Sequence, residues 1–486
     1  MSTAGAKAPH VLLVHPASLW GATWADGQRV KPELVSIFTH LRRAGVSTMV
    51  ADLEVELGNP VVTEQTHFLE QATARLFGEG ADVVAFDCWT AQQYSATVAL
   101  AEALRRERPQ TVIAVWGYHP TVRPDDFTYD GTPFNWLLEG EAENALRDVV
   151  EKVAGGDRDV SGCRVVVGAP LAHTAEDAPD YAAYHLARPG MDSLGIYLSR
   201  GCPYHVTACQ LRPGGSGWHG FAPEVALQLL DELTALQPKA IDILDPSFGY
   251  DAAWRTAVLE RMAAVYHRTV PISIRTHAEA LTRKDLDKIY AANLRLRLDL
   301  ETLSVSLLSR RETVPSPARA VEHAVDLITY ANAKGIATTV GLVFNQPGET
   351  EETAAETLEV LRQFAAAAPN ASVRVEAESW AYFPYGTEVA DIEAPRQRYG
   401  TELTFPQWWK EQRPSEQAAK AVVASTELAG LLPGDESYWR PRFTSIAHLL
   451  ESKLTSEARR GLRSHESVGS AAADVPHGWW NGGRSG

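Results

Sequence analysis

The sequence predicts an α/β protein made of a Rossmann-like N-terminal domain (residues 8–155), a partial or complete α/β barrel of the TIM type (191–398) and a helical C-terminal region (399–465). Three observations carry this. Residues 10–155 alternate short apolar runs with amphipathic helical patterns, the rhythm of a parallel sheet covered on both faces. A second alternation of the same kind begins near residue 193. Between them, 156–190 holds charged residues and prolines after Gly155-Gly156 with no sustained period, which reads as a linker. At 486 residues and 45% hydrophobic the chain exceeds one ordinary core.

Each element follows in order. VLLVHP, STMVADLE, ADVVAFDCW and TVIAVWG are runs short enough for buried strands, and PELVSIFTHLRRAG and ATVALAEALRRERP carry helical periodicity between them. Ligands of such sheets bind outside the carboxyl ends of the strands. The candidate loops are therefore Pro16 to Gly21, Asp87 to Thr90, and Gly117 to Thr121. In the second half LGIYLS, AIDILD, VPISIRT, LRLRLDL, ATTVGLVFN and VRVEAESWAYF read as strands, with PEVALQLLDELTAL among the intervening helices. Barrel chemistry sits at the strand C-termini. After residue 400 the pattern becomes aromatic and helical, with Trp408-Trp409 read as a packing anchor, and 466–486, rich in Gly, Ser and Ala, reads as a disordered tail.

Composition removes several classes of function. A formal charge of −16 opposes a phosphate backbone, and no run of lysine or arginine marks a nucleic-acid patch. Four cysteines cannot staple a chain of this length. The start shows neither a basic n-region nor a cleavable apolar stretch, and no window reaches the ~18 apolar residues of a membrane span. The expectation is a soluble cytoplasmic protein with a small-molecule substrate, without nucleic acid or membrane as partner.

The segment SRGCPYHVTACQ carries the most specific signal. Cys202 and Cys209 stand as the first and third members of a C-x3-C-x2-C loop, with Val206 in the middle position. Three thiolates at that spacing hold three irons of a [4Fe-4S] cluster, whereas a valine donates nothing to iron. His205, beside the gap, is a candidate substitute, because histidine ligates iron in Rieske centres.

Taken in order, HVLLVHP, LRRAG, ADLE, the strand before Cys88, GYHPTVRPDDF and LLEGEAENAL, then SRGCPYHVTAC, DPSFGYD, DLETLS, GLVFNQPGETEET and YFPYGTEV, resemble the cobalamin-dependent (class B) radical S-adenosylmethionine enzymes. No one of these segments is decisive; their shared order is. The resemblance implies that 8–155 is a cobalamin-binding domain, with the corrinoid on the sheet edge held by Pro16, Ser18, Leu19, Trp20, Cys88, Trp89, Thr90, Gly117, Tyr118, His119, Thr121, Gly140 and Glu141. The D-x-H-x-x-G spacing of histidine-ligated cobalt is missing, so a histidine lower ligand is not expected, and His15 and His119 read first as loop packing. Cys88 at the end of an apolar strand reads equally as a small buried hydrophobe.

For the second half the resemblance implies an open iron that chelates S-adenosylmethionine. Gly201 and Pro203 shape the loop, and Asp245, Ser247, Glu301 and Gly341 lie at strand ends near that ligand. Each has a structural reading beside it: Asp245 begins a turn with Pro246, Glu301 caps a helix, and Glu349 and Thr350 open one. Val206 leaves three outcomes open: a cluster completed by another donor such as His205, a lost cluster, or a substitution in an otherwise complete enzyme. With radical initiation impaired, the surviving chemistry is polar, a methyl group passing from S-adenosylmethionine through methylcobalamin to a nucleophilic carbon, as in the tryptophan 2-C-methyltransferases. The leading expectation is a C-methyltransferase acting on a small, aromatic or indole-like specialised metabolite, of the kind met in antibiotic biosynthesis, with a flavodoxin or ferredoxin as reductant. The competing readings are a radical ring-rearranging or cyclising enzyme and a cluster-less cobalamin-binding partner or sensor.

Overall fold

The structure is a computed structural model that describes residues 9–17, 29–58, 65–187, 193–203, 217–265, 270–310, 314–344, 349–368, 372–379, 410 and 442–446. In chain order the strands are β1 (His10–His15), β2 (Arg29–Val30), β3 (Ser47–Asp52), β4 (Val83–Asp87), β5 (Val112–Trp116), β6 (Trp136–Gly140), β7 (Arg164–Gly168), β8 (Ser193–Ile196), β9 (Ser199–Arg200), β10 (His219–Gly220), β11 (Ala240–Ile243), β12 (Ile272–His277), β13 (Arg295–Asp299), β14 (Thr338–Phe344) and β15 (Val373–Ser379).

The first sheet is wholly parallel in the order β3-β1-β4-β5-β6-β7. Its strands form because β4 and β5 are continuous buried apolar runs, VVAFD and VIAVW, that helices cover on both faces. Helix Pro32–Arg43 begins on a proline, whose fixed φ suits the first turn, and buries Leu34, Ile37, Phe38 and Leu41 at helical spacing. The order reverses between β1 and β4, so a crevice opens there at the carboxyl ends.

The second sheet runs β15-β14-β13-β12-β11-β8-β2, also parallel throughout. Its last six strands in sequence are those read from the apolar runs. Along them Ile241 and Ile243, Ile272 and Ile274, Leu296 and Leu298, Val340 and Leu342, and Val373 and Val375 join the apolar core with the outer helices. Strand residues alternate between faces, so Asp242, Arg275, Arg295, Arg297, Asp299 and Glu376 take the opposite, inner face.

One short strand ties the halves together, and another widens the first sheet. β2, from the N-terminal segment, pairs with β8 as the edge of the barrel sheet. β7, from the stretch read as a linker, pairs with β6 as the edge of the first sheet. The helix Pro32–Arg43 therefore packs in one core with strands of both sheets. No helix among the described residues is long and apolar enough to cross a membrane.

Gly117 closes β5 at φ +117°, and a Cβ there would lie 2.8 Å from the Cys88 carbonyl oxygen. Only glycine accepts that backbone and that approach. Gly117→Ala is expected to lose about 1–3 kcal/mol of stability in urea denaturation; unchanged stability would show that the two loops do not meet this closely.

Candidate functional site

The carboxyl edge of the first sheet is assembled by the ends of β1, β4, β5 and β6. Across the switch point, His15 at the end of β1 donates from Nδ1 to Asp87 Oδ2 at the end of β4, 2.7 Å away. Its Nε2 lies 3.6 Å from Glu54, which also binds Lys31 Nζ at 3.2 Å, and 3.4 Å from Gln93 Nε2. Burial lowers the affinity of His15 for its proton, but Asp87 and Glu54 outweigh it and raise the pKa to about 10. His15 is thus an imidazolium with both nitrogens engaged, and such a ring has no lone pair for a metal.

His119 is likewise committed. It is fully buried, bonds Asp126 Oδ2 through Nε2 at 2.9 Å and stacks on Tyr94. The other Asp126 oxygen receives Lys410 Nζ at 2.7 Å, a contact from the C-terminal region. Burial lowers the His119 pKa. The ring is packed against Tyr94 and Phe127.

The remaining edge residues divide by role. Cys88 is wholly buried in the second apolar cluster, its N–H bonds Trp116 O, its carbonyl accepts His119 N–H, and burial raises its thiol pKa. Its side chain is part of that apolar core. Thr90 precedes helix Ala91–Glu107, and Gln93 Oε1 accepts the N–H groups of Trp89 and Thr90 at 2.8 and 3.1 Å. Thr121 Oγ1 donates to Gly117 O at 2.7 Å and accepts Gly140 N–H at 3.0 Å, which stitches the β5 loop to β6. Trp89 and Trp116 meet edge to face at 6.4 Å, and the indole Nε1 of each is buried without an acceptor among the described residues. Pro16 and Tyr118 are buried at the same edge; Ser18, Leu19 and Trp20 lie outside the described residues.

Glu141, expected as a corrinoid contact, has its carboxylate fully occupied elsewhere. One oxygen accepts Arg200 Nη1 and the Leu171 N–H, both at 2.9 Å, and the other accepts His219 Nε2 at 3.0 Å. Arg200 Nη2 also binds Glu143 at 2.7 Å, and Ser36 donates to the same Glu143 oxygen at 2.6 Å. Arg200 and His219 face each other in the antiparallel pair β9-β10, the two stems of the loop that carries Cys202 and Cys209. One carboxylate at the end of β6 therefore grips both stems. Burial pushes the Glu141 pKa up, but His219 and Arg200 outweigh it and hold it near 2, while His219 is raised mainly by Glu141.

From the barrel side, Asp245 after β11 accepts Leu198 N–H at 2.8 Å and Ser199 Oγ–H at 2.6 Å, and Trp218 Nε1 donates to Ser199 Oγ at 3.0 Å. Burial raises the Asp245 pKa to about 7. Asp245 thus fastens the first stem of the cysteine loop, a role that the turn reading did not include. Cys202 is half-buried at the loop's start; His205, Val206 and Cys209 lie outside the described residues. Ser247 is fully buried, and its hydroxyl has no partner among the described residues. Glu301 follows β13, and Val343 N–H bonds its carbonyl at 3.1 Å. Gly341 sits where a Cβ would fall 2.8 Å from Asp299 Oδ1 and 3.0 Å from Arg297 Nη2. Thr350 caps helix Glu351–Ala367, as its structural reading anticipated.

With the geometry in hand, comparison with known proteins gives one family and one fold. The B12 binding domain family matches residues 31–150. Residues 31–150 form a B12-binding domain. Over most of its length the chain is similar in fold to the radical S-adenosylmethionine methyltransferase TsrM from Kitasatospora setae with tryptophan substrate and a SAM analog bound. That likeness has a TM-score of 0.63 at 17% identity and covers 81% of this chain and 77% of the other. The structure of TsrM with cobalamin and a [4Fe-4S] cluster bound gives a TM-score of 0.60 at 16% identity, with 81% and 76% covered. At such identities the likeness establishes the fold. No curated protein matches the chain.

The residues of the B12-binding domain fit a corrinoid. The close approach at Gly117 leaves a sheet edge free of side chain at that position, and two indole N–H groups without acceptors among the described residues stand at the ends of β4 and β5, so a bound corrinoid would meet an edge with unused donors. The histidines of the edge are engaged, so the fit is one of packing and backbone contact. The iron site does not fit equally well. Two thiols with a valine between them fall one donor short of the three that the cluster requires.

Glu141→Ala removes the shared acceptor of the partly buried Arg200 and His219 and is expected to cost about 1–3 kcal/mol at neutral pH. The Glu141 carboxylate has a depressed folded-state pKa, so its contribution is complete above the ordinary glutamate range and disappears as pH falls toward 2. Denaturation curves of both proteins across that range check this; a difference independent of pH would contradict it.

Proposed function

We propose that the protein is a cobalamin- and S-adenosylmethionine-dependent methyltransferase that places a methyl group on a carbon of a small aromatic, amino-acid-like acceptor. The observation that supports this most is the grip of Glu141 on both stems of the cysteine loop. It fixes the carboxyl edge of the B12-binding domain beside the mouth of the barrel, where donor and acceptor must meet. The likeness to a methyltransferase with tryptophan bound suggests the acceptor class.

Cobalamin, when bound, supplies methyl carriage between a sulfonium donor and a carbon nucleophile. This chain's residues do the rest. Pro16, Trp89, Thr90, Gly117, Tyr118, Thr121 and Gly140, with Ser18, Leu19 and Trp20 of the same loops in sequence, would hold and orient the corrinoid through backbone and packing. The His15 imidazolium, pinned by Asp87 and Glu54, keeps its proton and donates no lone pair. Asp245, Ser247, Glu301 and Gly341 shape the mouth of the barrel for S-adenosylmethionine. Cys202 and Cys209 belong to an iron site that lacks its third thiolate, so no step is routed through iron. The reductant is a small electron carrier of the flavodoxin or ferredoxin class.

The test is anaerobic incubation of the full chain with hydroxocobalamin, a low-potential reductant, S-adenosylmethionine and tryptophan. Retention of the corrinoid through gel filtration, S-adenosylhomocysteine formation and a methylated product are expected. Release of 5′-deoxyadenosine in place of S-adenosylhomocysteine would favour radical chemistry, and loss of the corrinoid would overturn the reading.

A further inference from the structure

Arg123 lies in the segment GYHPTVRPDDF, one residue past the short helix Tyr118–Val122 that follows β5 and Gly117. Its backbone is bonded on both sides, the N–H to His119 O at 2.8 Å and the carbonyl to Asp126 N–H at 3.1 Å. Its guanidinium is not. The residue is half-buried and its Nε is buried without an acceptor, and neither terminal nitrogen takes a partner among the described residues. Withdrawing part of a permanent charge from water without a partner is costly.

Other arginines of the chain show the usual arrangement. Arg255 also has a buried Nε without a hydrogen bond, but Asp285 stands 3.4 Å from it and its Nη1 donates to Gly249 O. Even exposed guanidinium groups are paired, Arg158 with Asp82 at 2.8 Å and Arg283 through Nε with Asp326 at 2.9 Å. Beside Arg123 the one buried acid is already shared: Asp126 gives one oxygen to His119 and the other to Lys410. Asp125 is exposed in the turn after Pro124. Burial lowers the His119 pKa, and the fields of Arg123 and Lys410 lower it further, so two cations stand around that ring against one carboxylate. A further anion would balance them.

This charge belongs to the loop of β5 at the carboxyl edge of the B12-binding domain. Gly117, which begins the helix, is the position stripped of a side chain, and Thr121, two residues before Arg123, ties the helix to Gly117 O and to the Gly140 N–H at the end of β6. The peripheral side groups of a cobalamin are neutral amides. Its one peripheral anion is the phosphodiester of the nucleotide tail, and the planar fork of an arginine matches phosphate oxygens with parallel donors. We propose that Arg123 is an anion receptor of the B12-binding domain and takes the nucleotide-tail phosphate of the corrinoid. The inference rests on the binding of a corrinoid by this domain and is independent of the methyl-transfer reaction.

Titration of the full-length protein with three corrinoids, followed by corrin absorbance, supplies the test. The probes are hydroxocobalamin, cobinamide, which lacks the nucleotide tail and its phosphate, and cobinamide phosphate, which keeps the phosphate without the base. Loss of a charge-assisted hydrogen bond is expected to make wild-type protein bind cobinamide on the order of ten- to a hundredfold more weakly than cobinamide phosphate. In Arg123→Gln that preference should shrink to within a few-fold while the affinity for cobinamide stays as in wild type, and Arg123→Lys should keep part of it. Circular dichroism reports on folding, and Arg123→Lys carries the test if Arg123→Gln does not fold. A purely structural arginine would lower the affinity for all three probes together, and that result overturns the receptor. Equal binding of cobinamide and its phosphate by wild-type protein also overturns it and leaves the B12-binding domain standing. Thermal stabilisation by inorganic phosphate that is lost in Arg123→Gln, without any preference between those two corrinoids, would assign the cation to a free anion and overturn the tail assignment. Retention of none of the three probes overturns the receptor together with the methyltransferase reading.

Discussion

The arrangement depends on one carboxylate. Glu141 ends the turn after β6 and holds Arg200 and His219, which open and close the excursion that carries the cysteines. Ion pairs on a protein surface contribute little, but a buried, multiply hydrogen-bonded one is expensive to break. Glu143 and Ser36 complete the set around Arg200, so the grip also reaches helix Pro32–Arg43. Asp245 fastens the same stem from the barrel side through Leu198 and Ser199. Between these two acids the loop's base has fixed geometry with respect to both sheets.

A shared core reinforces that geometry. β2 leaves the N-terminal half to extend the barrel sheet, and helix Pro32–Arg43 shares one apolar core with strands of both sheets, so the two sheets are not independent bodies joined by a tether. The barrel pairs this rigid, apolar outside with a charged inside. Such an interior is stable only if its ions are matched, and Arg297 on β13 binds Asp299 of its own strand and Glu376 of β15.

The strands of both sheets were legible wherever the burial they required was continuous: VVAFD and VIAVW are apolar throughout because helices cover both faces. β2 was not legible, since two residues carry no period, nor was β7, an edge strand whose alternate residues are exposed. The B12-binding edge could be placed from strand ends alone, since the topology dictates it. Individual roles could not. Glu141 reads as a ligand contact because its partners lie 59 and 78 residues away, and Cys88, a candidate contact that the apolar strand before it marks as a small buried hydrophobe, is completely buried. The signal for the polar lumen was present in LRLRLDL, where arginine and aspartate alternate with leucine in a strand whose other face had to be apolar. A solvent-facing sheet gives the same pattern, so the alternation alone did not reveal a lumen.

The central claim is that a corrinoid on the first sheet's edge and the cysteine loop's stems form one mechanically connected unit. Hydrogen exchange of the full-length protein with and without hydroxocobalamin measures this most directly. The account predicts slowed exchange at Cys88 to Thr90 and Gly117 to Thr121, accompanied by slowed exchange at Ser199 to Cys202 and His219 to Gly220. Protection confined to the sheet edge, with the stems unchanged, would contradict it.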